Sequence, residues 1–144
     1  YSLDTPKTWL FAHFADKLFD GVLVDAPCSG IGTWRRNPDA RWRMAKSDIH
    51  RYADVQAGLL NRCAKQVLPG GFLVYSVCTL TATETIAVLD NFIRMNAQFE
   101  LAPTANPLTG EQTDGKIWIW PRKNDTDAMF IARLKRKICG EIHR

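Results

Sequence analysis

Phe19-Asp20-Gly21-Val22-Leu23-Val24-Asp25-Ala26-Pro27-Cys28-Ser29-Gly30 begins as an apolar run and ends on an acid, a proline, a cysteine and a glycine. Such a run predicts a strand from Phe19 to Asp25, buried on both faces and ending at a functional edge. Pro27, Gly30 and Gly32 deny regular structure to the residues that follow, so the strand feeds a loop at its carboxyl end. Phe72-Leu73-Val74-Tyr75-Ser76-Val77 repeats the pattern and delivers Cys78 to the end of a second strand.

Between these strands, Tyr52, Leu59, Leu60, Cys63 and Val67 mark one face of a helix expected from Ser47 to Leu68, with Pro69-Gly70-Gly71 as its stop. Upstream, Thr5-Pro6 reads as a helix start, with Leu10, Phe14 and Leu18 at helical spacing behind it. Downstream, Thr81-Ala82-Thr83-Glu84 has the form of a capping box for a helix running to Met95, and Phe99 to Ala102 reads as a strand. Pro103 to Asp127 is rich in turn formers, with an apolar island from Ile117 to Trp120, and is expected to be a long loop excursion. A last strand from Met129 to Leu134 precedes a basic tail over residues 136–144. Strands alternating with helices predict an α/β fold, a mainly parallel sheet with helices on its faces. In such sheets ligands bind at the carboxyl ends of the strands, where Asp25, Cys28 and Cys78 all fall.

A chain of 144 residues, 46% hydrophobic, suffices for one domain and not two. No apolar stretch reaches the roughly 18 residues of a membrane span, and there is no secretory signal pattern, so a cytoplasmic protein with no membrane partner is expected. Cys28, Cys63, Cys78 and Cys139 form no C-x-x-C pair and accompany only three histidines, which argues against a metal site and for free thiols. The net charge of +4 permits a nucleic-acid partner without demanding one. Placement says more. Arg35, Arg36, Arg41 and Arg43 surround a single acid, Asp39, with Trp34 and Trp42 among them, a combination suited to phosphate contact and base stacking. The competing reading is a solvated loop whose tryptophans pack inward. Arg133, Lys135, Arg136 and Lys137 are equally compatible with RNA contact and with simple solubility.

The D-A-P-C-S-G core at Asp25 to Gly30, with Gly32-Thr33 and Arg35-Arg36-Asn37-Pro38-Asp39 after it, resembles a motif of the Fmu/Sun, RsmB-like RNA cytosine-5 methyltransferases. Leu68-Pro69-Gly70-Gly71 with Leu73-Val74-Tyr75-Ser76 and Cys78 resembles the family's next motif, and Trp120-Pro121 with Asp127 to Leu134 resembles its closing segment. The resemblance runs from Phe19 to Lys137. Val77 stands where the family usually has threonine, and Ala128 where glycine is common.

What the resemblance implies is the carboxy-terminal half of a Rossmann-like, S-adenosylmethionine-dependent catalytic domain acting on RNA, ribosomal RNA first. Carbon 5 of cytosine is a poor nucleophile, so methylating it requires a temporary bond from an enzyme thiolate to carbon 6. By resemblance Cys78 makes that bond, Cys28 assists its later breakdown, and Asp25 borders both cofactor and base, with Ala26 and Pro27 beside it on the cofactor side. The glycine-rich cofactor loop is expected upstream of Tyr1, so residues 1–144 read as a single partial domain lacking most of the cofactor pocket. Taken singly, either cysteine could be a small buried hydrophobe and Asp25 a helix cap. Two further readings stay open: a fragment serving only as an RNA-binding or interaction module, and a DNA cytosine-5 methyltransferase in which Cys28 attacks.

Overall fold

The computed structural model describes residues 17–138. The expected first helix, from Thr5 through Phe14, lies outside the described residues, as do Cys139 and the end of the basic tail.

The strands are β1 (Phe19–Asp25), β2 (Val67–Val77), β3 (Phe99–Leu101), β4 (Thr104–Ala105), β5 (Gln112–Thr113), β6 (Lys116–Ile119) and β7 (Met129–Arg136). The helices are α1 (Ala40–Arg43), α2 (Lys46–Ala64), α3 (Ile86–Met95) and α4 (Pro121–Asn124). The main sheet runs β1-β2-β7-β3, with β6 also paired to β7. β7 serves two partners along one edge: β6 along Met129 to Ala132 and β3 along Leu134 to Arg136.

The α/β class holds, but the expectation of a mainly parallel sheet does not survive among the described strands. Only β1 and β2 are parallel, while β7 runs antiparallel to β2, β3 and β6. The reason lies in the connections. A helix carries the chain back from β1 to β2, as parallel pairing requires, whereas β6 reaches β7 through a short connection built around α4. The island at Ile117 to Trp120 is therefore mostly strand, and the excursion around it contains the small β4-β5 hairpin.

The core gathers on the helical face. Leu73, Tyr75 and Val77 of β2 lie opposite Leu134, Ala132 and Phe130 of β7, and all six are fully buried. Residues in register across an antiparallel pair share a face, so the small Ala132 opposite Tyr75 leaves space for that ring, which meets Phe130 edge-on. Leu60 of α2 and Leu89 and Phe92 of α3 close the layer.

Three local expectations need correction. β1 is not buried on both faces: Val24 is buried and Leu23 is 66% exposed, because among the described residues β1 pairs on one side only and α2 covers a single face. α2 stops at Ala64, ahead of Pro69-Gly70-Gly71, which instead lies within β2. Phe19 pairs with Val67 but Gly21 with Phe72, so β2 carries extra residues past β1 as a bulge. Gly70 supplies a φ of 83° there, and a Cβ on Gly71 would stand 2.8 Å from the Asp20 carbonyl oxygen. Finally, the capping box at Thr81 to Glu84 is a 3-10 turn, with α3 starting at Ile86 and the Glu84 side chain turned elsewhere.

Candidate active site

Parallel pairing of β1 with β2 sets Asp25 beside Ser76, and the Ala26 amide continues the ladder to the Ser76 carbonyl at 3.0 Å. The two chains therefore leave the sheet side by side. Cys28 comes three residues after Asp25 and Cys78 two after Ser76, and their sulfurs meet at 3.1 Å. Both are free thiols, half-buried at the top of the sheet, with Cys28 packed against the core. Asp25 is exposed, its Oδ1 receiving the Ser76 hydroxyl at 2.7 Å. Ala26 turns into the core, and the Pro27 carbonyl accepts the Gln56 side-chain amide at 2.9 Å.

Electrostatics separate the two sulfurs. The Cys78 thiol is lowered to about 7, chiefly by the hydrogen bond from Cys28, against the opposing effects of burial and of the charges on Asp25 and Asp127. Cys28 moves far in the other direction, first through its hydrogen bond with Cys78, then through burial and the neighbouring negative charge. Of the two, Cys78 is the sulfur disposed to ionise as the pH rises through neutrality, and Cys28 the one disposed to stay a thiol. A thiolate is the form that attacks carbon.

The loop after Cys28 is fastened at several points. Gly32 donates its amide to the Cys78 carbonyl at 3.0 Å and accepts the Ala128 amide at 3.0 Å, stitching the loop between the end of β2 and the start of β7. Arg36 pairs with Asp127, which holds that carboxyl below its ordinary range. Trp34 Nε1 and Asp127 Oδ1 are buried atoms with no hydrogen-bond partner.

The arginines of this loop divide. Arg35 pairs with Asp125 at 2.9 Å, Arg36 with Asp127, and Arg43 with Asp39, whereas Arg41 lies over the Trp42 ring at 5.4 Å. Trp42 is 83% exposed, so the inward-packing alternative fails for it. Three of the four cations near the end of the described chain are occupied: Arg133 stacks on Phe72 at 3.8 Å, Arg136 donates to the Val67 carbonyl, and Lys137 donates to the Ala97 carbonyl at 3.1 Å. Cys63 packs against the core, where burial pushes its thiol up.

One residue was not foreseen as part of the site. Glu84 is fully buried, and its carboxylate accepts from the Ser29 amide (2.7 Å) and hydroxyl (2.6 Å), the Thr81 hydroxyl (2.8 Å), the Thr79 hydroxyl (3.2 Å) and Gln56 Nε2 (3.2 Å). Tyr75 adds its hydroxyl to the Glu84 carbonyl at 2.6 Å and to Gln56 at 3.0 Å. A sequence signal existed. Gln56 lies on the apolar stripe of α2, four residues from Tyr52 and from Leu60, and a polar side chain at a core position requires a buried partner.

Residues 3–135 match the family described as 16S rRNA methyltransferase RsmB/F. Ribosomal RNA small subunit methyltransferase F of Aeromonas hydrophila is 36% identical over 132 residues, which cover 88% of this chain and 28% of that protein. Ribosomal RNA small subunit methyltransferase B of Serratia proteamaculans is 34% identical over 130 residues, covering 90% and 28%. Among solved structures, a methyltransferase homolog protein from Pyrococcus horikoshii superposes with a TM-score of 0.68 at 27% identity, covering 88% of this chain and 42% of that one. NSun6 from Pyrococcus horikoshii with SFG gives 0.64 at 28% identity, covering 79% and 29%. The chain spans 27% to 29% of the length of the first curated relatives it matches.

Proposed function

The chain belongs to the RsmB/F family of 16S rRNA methyltransferases, and from that premise we propose that the protein carrying it methylates carbon 5 of a cytosine in small-subunit ribosomal RNA, with Cys78 as the attacking thiol. The observation that carries this reading is the pair of sulfurs 3.1 Å apart at adjacent strand ends, one of them disposed to ionise near neutral pH.

Cys78 adds to carbon 6 of the base, which makes the ring an enamine and carbon 5 nucleophilic. S-adenosylmethionine, when bound, supplies the methyl group that carbon 5 takes up. A base then removes the carbon 5 proton, and the electrons of that bond expel Cys78 as a thiolate. Cys28 stands on the departing sulfur as a hydrogen-bond donor, which stabilises the thiolate as it leaves. Asp25 is the residue of this chain best suited to hold the cofactor. It offers an exposed carboxylate at a strand end of an α/β sheet, and Ser76 fixes one of its oxygens. NSun6, whose structure carries SFG, an S-adenosylmethionine analogue, supports that choice of cofactor. Ala26 and Pro27 offer little there, since the Ala26 side chain is buried, its amide is given to Ser76, and the Pro27 carbonyl is taken by Gln56.

Of the loop arginines, Arg41 with Trp42 is the pair free to meet RNA, an exposed guanidinium and an exposed ring of the kind that bases stack on. Arg36 is committed to Asp127 and holds the loop; Arg35 and Arg43 can exchange their exposed carboxylate partners for phosphates.

The test uses the full-length protein with methyl-labelled S-adenosylmethionine and 16S ribosomal RNA, followed by nucleoside mass spectrometry. Label is expected in 5-methylcytidine. Label on another base or atom, or none while an active relative labels the same RNA, would refute the reading.

A further inference from the structure

We propose that Glu84 is a positioning residue that sets the spacing of the two thiols, by clamping the residue that follows each of them to one buried carboxylate. Ser29 follows Cys28, Thr79 ends the step after Cys78, and both hydroxyls converge on Glu84 Oε2, at 2.6 and 3.2 Å. The same two hydroxyls touch each other at 3.1 Å. Glu84 Oε1 also takes the Ser29 amide at 2.7 Å, which fixes the backbone of the cysteine loop and not merely a side chain.

The carboxylate is itself held from behind. Gln56 of α2 donates to it at 3.2 Å, and the Tyr75 hydroxyl bonds both Gln56 and the Glu84 carbonyl. A capping glutamate would return its carboxylate to the amide of Thr81; here Thr81 gives its hydroxyl to Glu84 instead. Buried polar groups are costly when left unsatisfied, so moving Ser29 or Thr79 away from Glu84 would strand part of this cluster, and that cost restrains the two loops that carry the sulfurs. Glu84 touches neither sulfur and so acts through Ser29 and Thr79.

The inference rests on Cys78 being the attacking thiol and predicts how that thiol titrates. The groups facing Cys78 are Cys28 and Arg36 of the loop after β1, Asp25 at the end of β1, and Asp127 before β7, while Glu84 faces Cys28. Two effects of Glu84→Gln oppose each other. Removing a negative charge near the pair favours ionisation and would move the thiols down. Releasing the clamp lets Cys28 drift off Cys78, which loses its hydrogen-bond donor and moves up toward an ordinary cysteine.

Peptide-resolved alkylation by iodoacetamide between pH 5.5 and 9.5, on the full-length protein without RNA or cofactor, separates the two effects. The parent Cys78 should titrate near 7. In Glu84→Gln its midpoint should rise by about one unit, with a roughly tenfold loss of alkylation rate at pH 6. Ser29→Ala, which keeps the carboxylate and removes one strut, should move it in the same direction by less, and it decides the matter should Glu84→Gln show no cooperative melting transition. A midpoint unchanged or lowered in folded variants overturns the proposal. Because no methyl transfer is measured, failure of the enzyme assay leaves this result standing, and the reverse.

Discussion

Replacing Cys78 by alanine in the full-length protein is expected to abolish methyl transfer, by at least on the order of 10⁴-fold, while Cys28→Ala leaves the protein covalently trapped on its RNA. The asymmetry follows from the sulfur pair. Cys78 is the member lowered to about 7, so it supplies the thiolate that adds to carbon 6. Without it no enamine forms, since the one neighbouring thiol among the described residues, Cys28, is pushed the other way and is the poorer source of thiolate. Cys28 is not needed for bond formation, but the departing thiolate loses its one sulfur partner among the described residues when Cys28 is gone. Adduct therefore accumulates. The measurement is a denaturing gel of protein incubated with RNA and S-adenosylmethionine: a slow-migrating, RNase-sensitive band with Cys28→Ala and none with Cys78→Ala. The opposite pattern would make Cys28 the nucleophile.

The second large effect concerns the fold around the site. A Cβ on Gly32 would stand 2.3 Å from the Ala128 carbonyl oxygen and 2.8 Å from that of Cys78, both of them backbone atoms that no rotamer change can withdraw. Gly32→Ala must therefore pry the loop off either β7 or the end of β2 and break an amide hydrogen bond on that side. Overpacking of this kind costs about 2–3 kcal/mol and lowers the melting midpoint by several degrees, on the order of 2–4 °C per kcal/mol for a larger domain. Thermal melting of the full-length variant checks it. The matched control is Gly58→Ala on α2, where a Cβ meets nothing within 4 Å and helix propensity favours alanine. Equal midpoints for the two variants would remove the latch from the account.

The strand ends were legible in the sequence because apolar runs closed by Asp25 and Cys78 state both the element and its direction. Cys28 was legible through D-A-P-C-S-G, a loop too constrained in composition to be filler. The antiparallel β7 was not, since pairing direction depends on which strands meet in space and Met129 to Leu134 reads the same either way. Pro69-Gly70-Gly71 misled for a related reason: those residues end helices and also build bulges, and only the facing Asp20 carbonyl decides between them. Glu84 reads as a cap from local spacing alone. Its real partners, Ser29 and Gln56, lie 55 and 28 residues away in sequence.

Two sulfurs in contact are also an oxidant's target. Hydrogen peroxide would be attacked by the Cys78 thiolate, giving a sulfenic acid and hydroxide; the Cys28 thiol would then displace water from that sulfur and close a disulfide, drawing the pair from 3.1 Å to about 2.0 Å. Peroxide should therefore silence the enzyme in a form that dithiothreitol restores, whereas Cys28→Ala, with no neighbour to intercept the sulfenic acid, should oxidise onward and stay modified. Intact-mass measurement separates a loss of two hydrogens from a gain of oxygen. The proximity that readies Cys78 for chemistry thus also shields it from irreversible damage.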